Sequence, residues 1–166
     1  MDKTVNLDDL DLKIITMLLR DAKIPYLEIA NKLKVSLGTV HLRIKKMEAA
    51  KLIKSFTLDA DFYRLGYTIT AFIGLIINSK MHESVVEQML AIDEVVELHH
   101  TTGKYHMFAK IVCEDPRALR EVLINKINSI DGIDKTETTI SLTEVISRPV
   151  CIKSAQLKAF KRKGKK

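Results

Sequence analysis

Cysteine is scarce in this 166-residue chain: Cys113 and Cys151, without CxxC spacing. Such usage suggests no disulfide framework and makes a reducing cytoplasm the expected compartment. Apolar runs fall far short of the roughly 20 residues a membrane span needs, so no membrane partner is expected. The chain opens with Asp2 and Lys3 and lacks the apolar block of a secretory signal. G-x-S-x-G, Walker A and G-x-G-x-x-G patterns are absent, and no catalytic residue or cofactor is expected. His99, His100, His106 and Cys113 are of zinc-ligating types. Neighbours such as His99 and His100 point to opposite faces of a strand and do not easily share one ion, so no metal site is expected.

Acidic charge is missing from the last fourteen residues and outnumbered in the first fifty-four. The net charge of +6 is made of three unequal parts. Residues 1–54 hold 11 Lys/Arg against 7 Asp/Glu, residues 55–152 hold 9 against 14, and residues 153–166 hold 7 against none. A polyanion partner is therefore implied only for the N-terminal third and the tail. The tail, with Phe160 among its basic residues, suits either nonspecific phosphate affinity or a bare solubilising extension. On the first reading its deletion should weaken polyanion binding mostly at low salt.

What is present in the N-terminal third is helical. Acidic residues crowd Leu7-Asp8-Asp9-Leu10-Asp11, where they meet the positive end of a helix dipole. Leu10, Ile14, Met17 and Leu18 follow at helical spacing, and Pro25 marks the break. A second short helix spans Tyr26 to Leu33. Lys34-Val35-Ser36 is a tight connection, with Ser36 suited to N-cap a third helix from about Leu37 to Ala50. Val40, Ile44 and Met47 face inward, while Thr39, His41, Arg43, Lys45 and Lys46 occupy the other faces. Residues 51–54 lead into a short β wing. Two short helices joined by a tight turn, the second basic outside, define a helix-turn-helix. Residues 36–54 hold five basic side chains against Glu48 alone. The expected partner is double-stranded DNA, met by Ser36, Thr39, His41, Arg43, Lys45 and Lys46. A three-helix bundle with a merely solvated basic face is the bland alternative.

After a connector the period changes. Ile69, Ala71, Ile73, Leu75 and Ile77 alternate with Thr68, Thr70, Phe72, Gly74 and Ile76, a strand apolar on both sides. A helix near His82–Ile92, strands Val95–Thr102 and Tyr105–Val112, a helix opened by Asp115 and Pro116, and a strand Ile133–Ile146 complete a βαββαβ order. The expected fold is α+β: a winged helix-turn-helix at 1–54, a wing and connector at 55–66, a ferredoxin-like unit at 67–152 and a basic tail at 153–166. The helix-free sheet face needs a cover, and dimerisation supplies one.

The order and spacing of several fragments resemble the Lrp/AsnC family of transcription regulators over roughly residues 6–147. They are residues 7–14 (LDDLDLKI), Glu28-Ile29-Ala30, Val40-His41-Leu42-Arg43-Ile44 with Lys46-Met47-Glu48, Leu65-Gly66-Tyr67 and Thr102-Gly103-Lys104-Tyr105. The resemblance implies dimers assembling to tetramers or octamers. It also implies an amino acid or related small molecule bound between dimers, at Thr102, Gly103, Tyr105 and His106. Two positions depart from the family pattern. His106 stands where an acidic residue usually follows the aromatic, and imidazole cannot supply that negative charge. Leu37-Gly38 replaces a proline and a small residue at the start of the third helix.

Two other functions fit parts of this pattern. An enzyme like the sirohaem decarboxylases shares the fold but needs no basic third helix. An architectural DNA binder without an effector would suit the missing acid at position 106.

Overall fold

In a computed structural model, residues 7–150 are described. The tail assigned to 153–166, and Cys151, lie outside them. The chain divides into two compact units that part at Asp59/Ala60. None of the described helices is long and apolar enough to cross a membrane.

The first unit contains α1 (Asp9–Arg20), α2 (Tyr26–Leu33) and α3 (Leu37–Ala49). The acidic start of α1 is a reciprocal cap. The Asp11 N–H donates to Asp8 Oδ1 at 3.0 Å and the Asp8 N–H donates to Asp11 Oδ2 at 3.1 Å. Two otherwise unpaired helix-start donors are thereby satisfied. Helix α2 begins after Pro25, whose ring sets an extended entry, and ends at Lys34 in the left-handed region, φ 55°. That left-handed residue turns the chain sharply enough for Val35 and Ser36 alone to bridge to α3. Ile14, Ile29, Val40, Ile44 and Met47 interlock as a fully buried core. Each such aliphatic contributes roughly 1.5–3 kcal/mol. Beyond α3 the chain turns at Lys51 (φ 55°) and continues without strand pairing up to β1. The strand expected in the wing at 55–66 is therefore absent; residues 51–53 instead donate their backbone N–H groups to the end of α3, at Glu48 and Met47.

The second unit contains β1 (Ile69–Ile77), α4 (His82–Leu90), β2 (Val95–His100), β3 (Met107–Cys113), α5 (Pro116–Glu121) and β4 (Ile133–Ser141). The sheet order is β2-β3-β1-β4, antiparallel throughout. This is the expected βαββαβ arrangement, with β1 central. Ala71, Ile73, Leu75 and Ile77 are buried with Val85 and Met89 of α4, and with Leu119, Val122 and Ile127. Thr70, Phe72 and Ile76 lie on the helix-free face and are half-buried, with Gly74 buried between the last two.

Asp115 caps α5, accepting from the Arg117 and Ala118 N–H groups at 2.7 and 2.8 Å, with Pro116 at the first helical position. The helix continues over Val122–Ile127 with wider, π-type bonding, ending where the Asn128 N–H reaches Leu123 O at 2.9 Å. Four element ends fall short of expectation. Strand β4 stops at Ser141, not Ile146, because Ser141 pairs with Thr70 and β1 begins only one residue earlier. Leu142 onward has no partner strand. Strand β2 ends at His100 and β3 begins at Met107, so a six-residue turn replaces the tighter one expected. Helix α4 ends at Leu90, although Ile92 beyond it is buried.

Candidate functional site

Helix α3 is fixed at its start. The Ser36 hydroxyl accepts the Thr39 N–H at 3.1 Å and pairs with the Thr39 hydroxyl at 2.8 Å. Both predicted polar groups are thus ordered at the helix N-terminus, where donors are available to a phosphate or a base edge. His41 is exposed and meets the Tyr26 ring edge-on, centroids 4.9 Å apart. Lys45 is exposed on the outward side. Lys46 is half exposed, with Nζ 3.6 Å from Asp11 Oδ2.

Arg43 is placed differently from the other basic residues. Its guanidinium is bonded to Asp8 and lies 3.2 Å from Asp11 Oδ1, tying α3 to the start of α1. Asp8, with Asp11, holds the guanidinium firmly in its charged state. Partial burial opposes ionisation of Asp8, but the Asp11 N–H and Arg43 outweigh it and keep that carboxyl below its ordinary range. Of the basic residues expected on the outer side of α3, Arg43 is thus held by two carboxylates of its own domain.

Two outward residues of α3 escape a search for polar readers. Gly38 and Leu42 stand one turn apart on the side opposite Val40, Ile44 and Met47, and Leu42 is 69% exposed. The signal in the sequence is one of phase, an apolar residue set against the buried stripe.

The turn from Thr101 to His106 is closed by its own groups. The Thr101 N–H donates to His106 O at 3.1 Å and the Thr101 hydroxyl to Tyr105 O at 2.8 Å. Thr102 is exposed, and Gly103 supplies φ 109°, which an L side chain rarely adopts. The Tyr105 ring lies flat over Gly74 of β1, where a Cβ would come within 2.6 Å of it. Phe108 and then Phe72 extend this aromatic row across the helix-free face, with centroids 6.0 and 6.3 Å apart.

His106 does not reach outward for a ligand. Its ring Nδ1 accepts the Ile77 N–H at 3.0 Å, and its backbone N–H donates to Leu75 O at 2.9 Å. An accepting Nδ1 carries no proton, so in this arrangement the ring is neutral. A carboxylate does stand beside this turn, on β4. Glu137 Oε2 is 2.6 Å from Lys104 Nζ, which sits 4.9 Å above the Tyr105 ring. Lys104, then Tyr105, lowers the Glu137 carboxyl, and Glu137, then Tyr105, raises the Lys104 ammonium. Lys104 and Glu137 are 33 residues apart, and only the β1–β4 pairing brings them together.

Among the described residues, no group of three or more His, Cys, Asp or Glu is placed to hold a metal. His100 stacks on His82 of α4, with Nε2 of His82 3.1 Å from Nδ1 of His100, whereas His99 lies 3.4 Å from Glu97. Cys113 is buried, and desolvation pushes its thiol up.

Comparison with known proteins covers both units. Residues 7–54 match the winged helix-turn-helix DNA-binding model, and residues 70–151 match the Lrp/AsnC ligand binding domain. The chain is 42% identical over 146 residues to the regulatory protein AsnC of Haemophilus influenzae, covering 87% of this chain and 97% of that one. Identity to AsnC of Escherichia coli K12 is 41% over 145 residues, covering 87% and 95%. The structure of E. coli AsnC superposes with a TM-score of 0.81 at 40% identity, over 87% of this chain and 97% of that chain. A transcriptional regulator of Neisseria meningitidis in complex with L-Met superposes at 0.80, over 86% and 94%. Its 19% identity speaks to fold alone.

Proposed function

This chain belongs to the Lrp/AsnC family of transcription regulators, and on that premise we propose how its surfaces divide the work. Helix α3 enters the major groove of double-stranded DNA. Thr39 and His41 face base edges, while Ser36, Lys45 and Lys46 hold phosphates. Arg43 sets the pitch of α3 against α1. The observation that carries this reading is the exposed side of α3, which holds Lys45, Lys46 and His41 on a helix whose other side is locked into a core.

The Thr102–His106 turn takes an amino acid or a related small molecule. Thr102 and Gly103 offer backbone and hydroxyl groups, Tyr105 forms an apolar floor, and His106 braces the turn against β1. Glu137 receives the ligand's ammonium in exchange for that of Lys104. The L-Met complex of the Neisseria regulator supports an amino-acid ligand for this fold. The apolar, helix-free face of the sheet supports dimers through the second unit, which go on to tetramers or octamers. Residues 1–54 serve as the DNA-binding domain and 67–152 as the dimerisation and effector domain. The protein works in the cytoplasm, by binding rather than by catalysis.

Footprinting on the protein's own upstream region tests the DNA reading. Lys45→Ala and Lys46→Ala should each weaken binding about equally across sequences, and each should reduce the salt slope by about one. Binding indifferent to both would overturn it. Thermal-shift screening with the twenty amino acids tests the second reading: a ligand that stabilises the protein but not Glu137→Gln is expected. No stabilising amino acid would favour the effector-free regulator.

A further inference from the structure

Helix α3 carries an apolar side chain where a solvated helix has no use for one. At about 100° per residue, Gly38, Leu42 and Lys45 fall on the side facing away from Val40, Ile44 and Met47. Leu42 is 69% exposed, far more than the other outward leucine of the helix, Leu37 at 41%. Position 42 serves neither the core nor solubility.

Gly38 is equally unexplained from within. A Cβ placed there would meet only Ser36 Oγ, at 3.9 Å, and the residue does not adopt a positive φ. Neither sterics nor backbone conformation requires glycine, yet glycine in a helix costs up to about 1 kcal/mol relative to alanine. What glycine does provide is close approach of the helix backbone to a surface outside the domain.

We propose that Leu42 reads thymine: its side chain packs on the 5-methyl group of a thymine in the major groove, and Gly38 lets α3 come close enough for that contact. The inference rests on the DNA-binding reading above and adds a specificity-determining residue to it. The occupant follows from the neighbours. Lys45 shares the outward side with Leu42, and Lys46 borders it, so the complementary surface is a polyanion and not an apolar protein groove. In the major groove the apolar group presented by a base edge is the thymine methyl. Polar Thr39 and His41 flank Leu42 and suit the hydrogen-bonding edges of adjacent bases, leaving the leucine for the methyl.

The test uses the full-length protein and a duplex it selects from a random-sequence library. Each thymine of the protected site is replaced singly by deoxyuridine, which removes only the methyl group. With the wild-type protein, at least one replacement should weaken binding about three- to fivefold, as burial of one methyl-sized group predicts. Leu42→Ala should lose about the same factor on the unmodified duplex and be indifferent to deoxyuridine at that position. Because Leu42 is exposed, its thermal midpoint should be unchanged. If every thymine tolerates replacement, or if Leu42→Ala keeps the full sensitivity, the proposal is overturned while DNA binding stands. Failure to select any preferred duplex overturns the DNA reading and this proposal together.

Discussion

The guanidinium of Arg43 and the carboxylate of Asp11, 3.2 Å apart, join the middle of α3 to the first turn of α1. Asp11 is fully buried and is the only charged residue in the described core. Its charge is tolerated there because the α1 N-terminus, the Asp8 N–H, Arg43 and Lys46 all face it with positive potential. The helix that presents Thr39, His41 and Lys45 is therefore oriented by an ion pair as well as by packing.

Arg43→Ala should for that reason act on stability first. Removing one partner of a buried pair leaves the other charge poorly compensated. The exposed share of Arg43 and the nearby Lys46 moderate the loss, so about 2 kcal/mol is expected. Denaturant unfolding would measure it, and Arg43→Lys should recover only part because lysine lacks the guanidinium fork. DNA affinity should fall in step with helix misorientation while the salt slope stays nearly unchanged. Unaltered stability with a slope reduced by about one would instead make Arg43 a direct phosphate contact.

Acid should weaken the same junction from the other side. The folded Asp8 carboxyl lies below its ordinary value of 3.8. A group depressed by folding stabilises fully above its unfolded value, and that contribution disappears as the pH falls through the folded one. Asp8 is half exposed, so the effect is modest. Thermal midpoints of wild type and Asp8→Asn should differ at pH 7 and converge as the pH falls from 3.8 through the folded value. Asparagine keeps the capping geometry, which isolates the charge. A constant difference across that range would show that the carboxylate's charge is not what matters.

Gly74→Ala tests the floor of the effector turn. The added Cβ would fall 2.6 Å from the Tyr105 ring, with β1 paired on both sides and unable to retreat. The ring must leave, at a cost of about 1–3 kcal/mol for overpacking. Stabilisation by any amino acid that shifts the wild-type midpoint should be lost as well. In a double-mutant cycle, Tyr105→Ala should relieve most of the Gly74→Ala penalty, since the clash needs both partners. Additive losses would place the damage elsewhere in the strand.

These contacts also show what a linear reading captures. Ser36 as a cap, Asp115-Pro116 as a helix start, α2 and β1 were legible because each depends on neighbours within a few residues, on period or on local φ. The tie from Arg43 to α1 is not legible in the sequence, because its partners lie 35 and 32 residues away. In sequence, Asp8 and Asp11 show only their local role, as acids at a helix start. Glu137 was invisible for the same reason, since its place beside Lys104 follows from strand register. The end of β4 depends on where β1 begins, which the apolar run Leu142–Ile146 does not encode.

Gly38→Ala separates stability from function on one residue. Its Cβ meets nothing closer than 3.9 Å, so the substitution is free to favour α3 through ordinary helix propensity. The first unit should gain up to about 1 kcal/mol, seen as a higher thermal midpoint. If α3 lies in the groove with Gly38 against the DNA, the same methyl group pushes the helix outward and strains every contact beyond it. Affinity should then fall on all duplexes, most on those with a thymine opposite Leu42, so stability and binding move in opposite directions. Unchanged binding in a stabilised protein would mean that Gly38 does not face the DNA.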